Sequence, residues 1–240
     1  MNAAALFWSR RWRVFDLDGT LVDTLPDLAG ALNQALRESR LPAVPAPLVR
    51  ASLHAGLEGS VAAALVYLNA PAEMRGLVLA RYRRHYDLGL ALRSAPYPGV
   101  ARLLAAVAAR REPMAICTNK PQRQAEALLS ALGLNHHFAV VVGADTCSER
   151  KPHPLPLLHA LRRLGGPPEE ALFVGDSEVD AACAAAAGVP HLWFAGGYGV
   201  VDAHARRAHI DAFDALLAPG GSAPPLAGPP QAGDRLNAAA

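Results

Sequence analysis

The chain has 240 residues, 52% of them apolar, and 23 Lys and Arg against 21 Asp and Glu leave a formal net charge of +2. That is material for one large domain or two smaller ones with a sizeable core. It offers neither the clustered basic face that nucleic acid requires nor an apolar run long enough to cross a bilayer, so no nucleic-acid or membrane partner is expected. Arg10, Arg11 and Arg13 crowd the amino terminus but flank the first strand, and read as a solvated edge. In Met1–Trp8 the positive charges follow the apolar stretch, the reverse of a secretory signal. Cys117, Cys147 and Cys183 are too scattered for a zinc site or a disulfide framework, which fits reduced thiols in the cytoplasm.

In chain order, Val14 to Leu17 read as the end of a buried strand that Gly19 and Thr20 break. A helix runs from Pro26 to about Arg40, with the proline in its first turn. Leu41 to Pro47 is a proline-rich loop, and Leu57–Leu68 and Glu73–Leu92 are again helical by periodicity. Nothing between Asp23 and Ala95 looks like a sheet strand, so about seventy residues of helix are inserted after the first strand. From Tyr97 onward the pattern alternates. Helices at Val100–Arg111, Gln122–Leu132, Leu155–Leu164 and Val179–Ala187 separate strands at Pro113–Thr118, His137–Val142, Ala171–Gly175 and Val189–Phe194. Ile210–Leu217 adds a last short element. Such alternation predicts an α/β fold, a Rossmann-like parallel sheet with helices on both faces, plus an inserted all-helical domain. The boundaries expected are 11–23 and 95–218 for the α/β core and 24–94 for the insert. Residues 219–240 have the glycine- and proline-rich composition of a disordered tail.

The chemistry-bearing residues fall where strands end, the rim at which open parallel sheets bind ligands. Asp16 and Asp18 leave the first strand together. An aspartate there can attack phosphorus if its charge is offset, and its neighbour two residues on can handle the proton. Taken alone, Asp18-Gly19 is equally compatible with simple turn chemistry. Thr118 and Asn119 end the second core strand and either cradle phosphate oxygens or cap the next helix. Lys151 lies in Glu149-Arg150-Lys151-Pro152-His153-Pro154, where the prolines stiffen the segment. Asp176 and Asp180, four apart at a strand-to-helix turn, suit an oxygen-seeking cation such as Mg²⁺, or else a helix start.

Together, Asp16-x-Asp18-Gly19-Thr20, Thr118, Lys151 and Gly175-Asp176 with Asp180 resemble the four motifs of the haloacid-dehalogenase-like phosphohydrolases, over about Val14 to Tyr198. Within that superfamily, Thr118–Pro121, Glu149–Leu158 and Phe173–Ser177 resemble the bacterial phosphoglycolate phosphatases. Two positions depart from that pattern: Val179 stands where Asn is frequent, and His54-Ala55-Gly56 where Gly-x-Gly is frequent. The resemblance implies a phosphatase acting on a small phosphate ester, 2-phosphoglycolate first and a sugar or amino-sugar phosphate second, as monomer or homodimer. It implies Asp16 as nucleophile, Asp18 as acid and base, and Thr118, Asn119 and Lys151 at the phosphate. It also implies Mg²⁺ on Asp16, the Asp18 main-chain carbonyl, Asp176 and Asp180, with the insert as a cap. Between Thr24 and Ala95 there are eight Arg and five Asp or Glu, and Arg50 or His54 could meet a substrate carboxylate. Like charges about 4 Å apart at an effective dielectric near 20 repel by roughly 4 kcal/mol. A carboxylate attacking a phosphate therefore needs both the metal and Lys151.

Overall fold

The computed structural model describes residues 2–199 and 208–218; the side chain of His54 and the tail at 219–240 lie outside the described residues. Its centre is a six-stranded, wholly parallel sheet. In chain order the strands are β1 (Trp12–Phe15), β4 (Met114–Cys117), β5 (Val140–Val142), β6 (Ala171–Gly175), β7 (His191–Phe194) and β8 (His209–Ile210). They lie in the order β5-β4-β1-β6-β7-β8. The chain therefore builds outward from β1 in one direction, through β4 and β5, and then returns to build in the other. A crevice at the carboxyl end of β1 follows from that reversal, because the flanking connections leave on opposite sides.

Side chains alternate across the sheet as a pleat requires. Phe15, Ile116, Leu172 and Val174 face one layer, with α6 (Val100–Ala109) and α7 (Gln122–Ala131). Val14, Ala115, Cys117 and Phe173 face the other, with α8 (Leu155–Leu164) and α9 (Glu178–Ala187). Both faces of the central strands are covered, which is why they read as continuous apolar runs. Each fully buried Phe or Leu stabilises by roughly 1.5–3 kcal/mol.

The helical insert has its own core. It comprises α2 (Leu25–Glu38), α3 (Ala46–Ser52), α4 (Gly56–Tyr67) and α5 (Arg75–Leu88). Leu28, Leu32, Leu36, Val61, Leu65, Val78, Tyr82 and Tyr86 form an apolar cluster separate from those of the sheet. Its two connections are held together by a short antiparallel ribbon, β2 (Val22–Asp23) with β3 (Ala95–Pro96), in which Val22 lies opposite Pro96. Asp27, in the first turn of α2, closes the entry against the exit. Its carboxylate accepts the main-chain N–H of Arg93 (3.0 and 2.9 Å) and of Ser94 (2.7 Å), and the Ser94 hydroxyl at 2.7 Å.

Some elements differ from the sequence expectation. A first helix, α1 (Ala3–Trp8), was not anticipated. It forms because Phe7 is buried against Phe15 of the neighbouring strand and the Trp8 indole donates to the Leu216 carbonyl at 2.6 Å, far along the chain. The loop expected to reach Pro47 ends earlier, since α3 starts at Ala46 and places Pro47 in its first turn, where a missing N–H costs nothing. The strand expected from His137 is confined to Val140–Val142, after a 3₁₀ turn at Asn135–His137. No helix among the described residues is long and apolar enough to cross a membrane.

Candidate active site

Three strand ends, those of β1, β4 and β6, and the turn before α8 supply the residues that meet above the sheet. β1 ends at Phe15, so Asp16 is the first residue beyond it, its N–H still bonded to the Val174 carbonyl of β6 at 2.9 Å. The chain then turns sharply through Gly19, whose φ is +84°. A Cβ there would stand 2.6 Å from Asp176 Oδ2 and 2.7 Å from the Tyr198 ring, so only glycine fits both the backbone and the space. Thr20 donates from its hydroxyl to Asp176 Oδ1 at 2.8 Å, tying the β1 turn to the end of β6. The other Asp176 oxygen accepts the N–H of Tyr198 (2.7 Å) and of Gly199 (3.2 Å).

Lys151 is the cation of the cluster. It is 4% exposed, and its ammonium lies 2.8 Å from Asp16 Oδ1 and 2.6 Å from Asp180 Oδ1. Its place is set by Asn119: the Asn119 amide donates to the Lys151 carbonyl and accepts from the Lys151 N–H, both at 3.0 Å. Asn119, expected at the phosphate, thus spends its amide on the lysine's main chain. Thr118 is 3% exposed at the end of β4, and its hydroxyl accepts the N–H of Lys120 at 3.2 Å. Neither Thr118 nor Asn119 caps α7: its N-cap is Pro121, and the Gln122 N–H of its first turn donates to Asp145 at 2.8 Å.

Asp180 serves two readings at once. Ser177 caps α9, and the reciprocal bonds of a capping box run from Asp180 N–H to Ser177 Oγ (3.2 Å) and from Ser177 N–H to Asp180 Oδ2 (3.1 Å). The other Asp180 oxygen is the one that holds Lys151. A helix start and a lysine clamp use the same buried carboxylate.

Oxygen atoms of Asp16, Asp176 and Asp180 lie within 4.8 Å of one another, all three residues buried. Burial, together with Asp180 and Asp176 and against Lys151, pushes the Asp16 carboxyl up to about 8; burial and Asp180 push Asp176 up to about 6. Burial alone would lower the Lys151 ammonium, but Asp16 and Asp180 hold it above its ordinary value. The cluster therefore carries more negative charge than one lysine offsets. An all-oxygen, buried, triply acidic donor set suits a hard divalent cation, so the residues present fit one. The Asp18 carboxylate is not part of this set. It turns instead to the Lys120 ammonium, at 3.0 and 3.1 Å, a residue that sequence reasoning quoted within Thr118–Pro121 without assigning it a place. Only its position two residues after Thr118 hinted at it.

The insert reaches the site from above. Arg50 donates to the Gly197 carbonyl, Gln124 to Asp87 at 2.6 Å, and Lys120 to the hydroxyl of Tyr86. Tyr198 holds the hinge, accepting the N–H of Leu25 at 2.8 Å and donating to Asp23 at 2.7 Å.

A parallel sheet that reverses at β1, with buried aspartates and a lysine gathered at that point, defines a hydrolase class that sequence comparison identifies. Residues 13–194 match the haloacid dehalogenase-like hydrolase family, and the chain belongs to it. It is 41% identical over 219 residues to a phosphoglycolate phosphatase of Mesorhizobium japonicum, covering 87% of this chain and 93% of that one. It is 40% identical to a phosphoglycolate phosphatase of Chromobacterium violaceum, covering 82% and 89%. Among solved structures, a predicted phosphoglycolate phosphatase from Haemophilus somnus superposes with a TM-score of 0.79 at 30% identity, covering 85% of this chain and 95% of that one.

Proposed function

We propose that this chain is a Mg²⁺-dependent phosphoric monoester hydrolase that acts through an aspartyl-phosphate and takes 2-phosphoglycolate as substrate. The observation that carries the reading is the buried Asp16 at the end of β1, with the Lys151 ammonium 2.8 Å away and Asp18 two residues on. A likeness of about 40% to phosphoglycolate phosphatases over most of both chains supports the substrate.

In the first step the Asp16 carboxylate bonds to phosphorus as the ester P–O bond breaks, and Asp18 gives its proton to the leaving oxygen. In the second, Asp18 takes a proton from the water that opens the aspartyl-phosphate. Lys151, held by Asn119 and Asp180, and the Thr118 hydroxyl bind the transferring oxygens. Asp16, Asp176 and the Asp18 carbonyl would hold Mg²⁺, with Asp180 behind them because Lys151 and Ser177 already use both of its oxygens. When bound, the ion offsets the repulsion between carboxylates and phosphate and polarises the bond being broken. The insert serves as a cap that excludes water, and Arg50 at its rim meets the substrate carboxylate.

The test is kcat/KM with Mg²⁺ over 2-phosphoglycolate, sugar phosphates, amino-sugar phosphates and pyrophosphate. A hundredfold preference for 2-phosphoglycolate, about 2.7 kcal/mol of differential transition-state binding, is expected. A profile peaked on a sugar phosphate would keep the chemistry and discard the substrate. Asp16→Asn is expected to abolish turnover with its circular dichroism unchanged; measurable hydrolysis by that variant would exclude the covalent route.

A further inference from the structure

Lys120 is a buried cation that the transfer steps above leave unused. It follows Thr118 at the end of β4 and is 7% exposed. Its ammonium has three hydrogens to give. Asp18 takes bonds at both carboxylate oxygens, and the Tyr86 hydroxyl takes another. None remains for a phosphate oxygen, so Lys120 is not a second Lys151. Burying an ammonium costs several kcal/mol unless its partners are well placed, and here one partner comes from the sheet and the other from the insert.

Tyr86 is on α5 and is 1% exposed. Its ring packs in the insert's own apolar cluster with Leu28, Leu32 and Leu36, and the Lys120 ammonium lies 4.6 Å from the ring centroid. Only its hydroxyl leaves that cluster, and it goes to Lys120. Tyr86, Lys120 and Asp18 therefore form one continuous chain of bonds from the core of the insert to the carboxylate beside the nucleophile. Other contacts between insert and core, Arg50 with the Gly197 carbonyl and Gln124 with Asp87, do not touch Asp18.

We propose that Lys120 and Tyr86 are positioning residues for Asp18, through which seating of the insert on the sheet sets the angle at which Asp18 delivers its proton. The inference rests on the reading of Asp18 as the proton donor. Asp18 enters that step as the carboxylic acid, with Lys120 on its carbonyl oxygen. The P–O bond breaks, its electron pair stays on the leaving oxygen, the Asp18 proton satisfies it, and the carboxylate left behind takes Lys120 at both oxygens. An alkoxide such as that of glycolate is a poor leaving group and needs the proton. A p-nitrophenolate leaves without one. Misplacing Asp18 must therefore penalise alkyl esters selectively, whereas general damage to the site would penalise both kinds alike.

The experiment compares kcat/KM, which reports only the steps up to release of the first product, on 2-phosphoglycolate and on p-nitrophenyl phosphate. The proteins are the wild type, Tyr86→Phe, Lys120→Met, Lys120→Arg and Asp18→Asn. Tyr86→Phe, which keeps the ring, is expected to lose about tenfold on the alkyl ester, and Lys120→Met about a hundredfold. Each loss should exceed that on the aryl ester by at least about tenfold. Lys120→Arg, which can still donate to both Asp18 oxygens, is expected to recover part of the difference. Equal losses on the two esters, or wild-type values for Tyr86→Phe on both, would overturn the inference. If Asp18→Asn itself lowers both esters alike, Asp18 is not the proton donor, and the reading of the site fails first and takes the inference with it. No hydrolysis of either ester by the wild type would instead refute the phosphatase reading.

Discussion

At the scale of single residues, the site is built from side chains that each do two things. Asp180 starts a helix and grips Lys151; Asn119 both donates to and accepts from the lysine's main chain; Gly19 makes a turn and leaves room for Asp176. For Asp180 and Gly19 the structural role and the chemical one coexist in the same residue. Tyr82 is the opposite case. It is fully buried one turn before Tyr86, its hydroxyl has no hydrogen-bond partner among the described residues, and burial pushes its ionisation well above the ordinary tyrosine range. An unsatisfied buried hydroxyl costs about 1–3 kcal/mol. Tyr82→Phe is therefore expected to leave stability unchanged or raise it by about 1 kcal/mol, read from urea unfolding. A clear loss of stability would mean that the hydroxyl has a partner.

At the scale of elements, the decisive feature is how the insert is attached. Its entry and exit meet in the β2–β3 ribbon and again at Asp27, whose carboxylate gathers the N–H groups of Arg93 and Ser94. Burial alone would raise the Asp27 carboxyl, but those hydrogen bonds outweigh it and hold the group below its ordinary value. A carboxyl depressed by folding stabilises fully above its unfolded value of about 3.9 and loses that contribution as pH falls through the lower folded value. Asp27→Asn is expected to cost about 2 kcal/mol near neutral pH, with the difference from wild type shrinking as pH falls below about 4. Urea midpoints across that range check it; a constant difference at all pH values would show that the charge is not what matters. The same attachment explains why α2 begins where it does: Pro26 sits in its first turn and Asp27 adds the acid that a helix start favours.

At the scale of the whole molecule, two hydrophobic units, sheet and insert, meet beside a buried polar cluster whose charges do not cancel. Asp16, Asp176 and Asp180 against one lysine leave the folded protein with a local excess of negative charge. A divalent cation that binds only the folded state should relieve it. Mg²⁺ is expected to raise the melting temperature of the wild type, by the equivalent of about 2.7 kcal/mol at a hundredfold excess over its dissociation constant. A chelator should reverse the gain. Asp176→Asn should blunt the response, and a melting curve indifferent to Mg²⁺ would remove the metal from this cluster.

Much of this was legible in the linear chain, and for a physical reason. Alternation of apolar runs with helical periodicity dictates a parallel sheet covered on both faces, whatever the loops do. Strand ends are equally readable, because Gly19, Pro121 and Ser177 interrupt the elements beside them. Asp16, Asp18, Thr118, Lys151 and Asp176 could thus be placed on one rim from their order alone. What the tertiary structure decided depends on contacts between residues far apart in sequence. Helix α1 is docked because Trp8 finds Leu216. Asn119 belongs to Lys151 because the chain brings residue 151 back beside β4. Nothing in the linear chain sets Lys120 apart; it is buried because α5 packs over it and brings Tyr86 to its ammonium. Local sequence sets which backbone groups are ordered and where they stop; the partner of a buried charge is set by which element folds back over it.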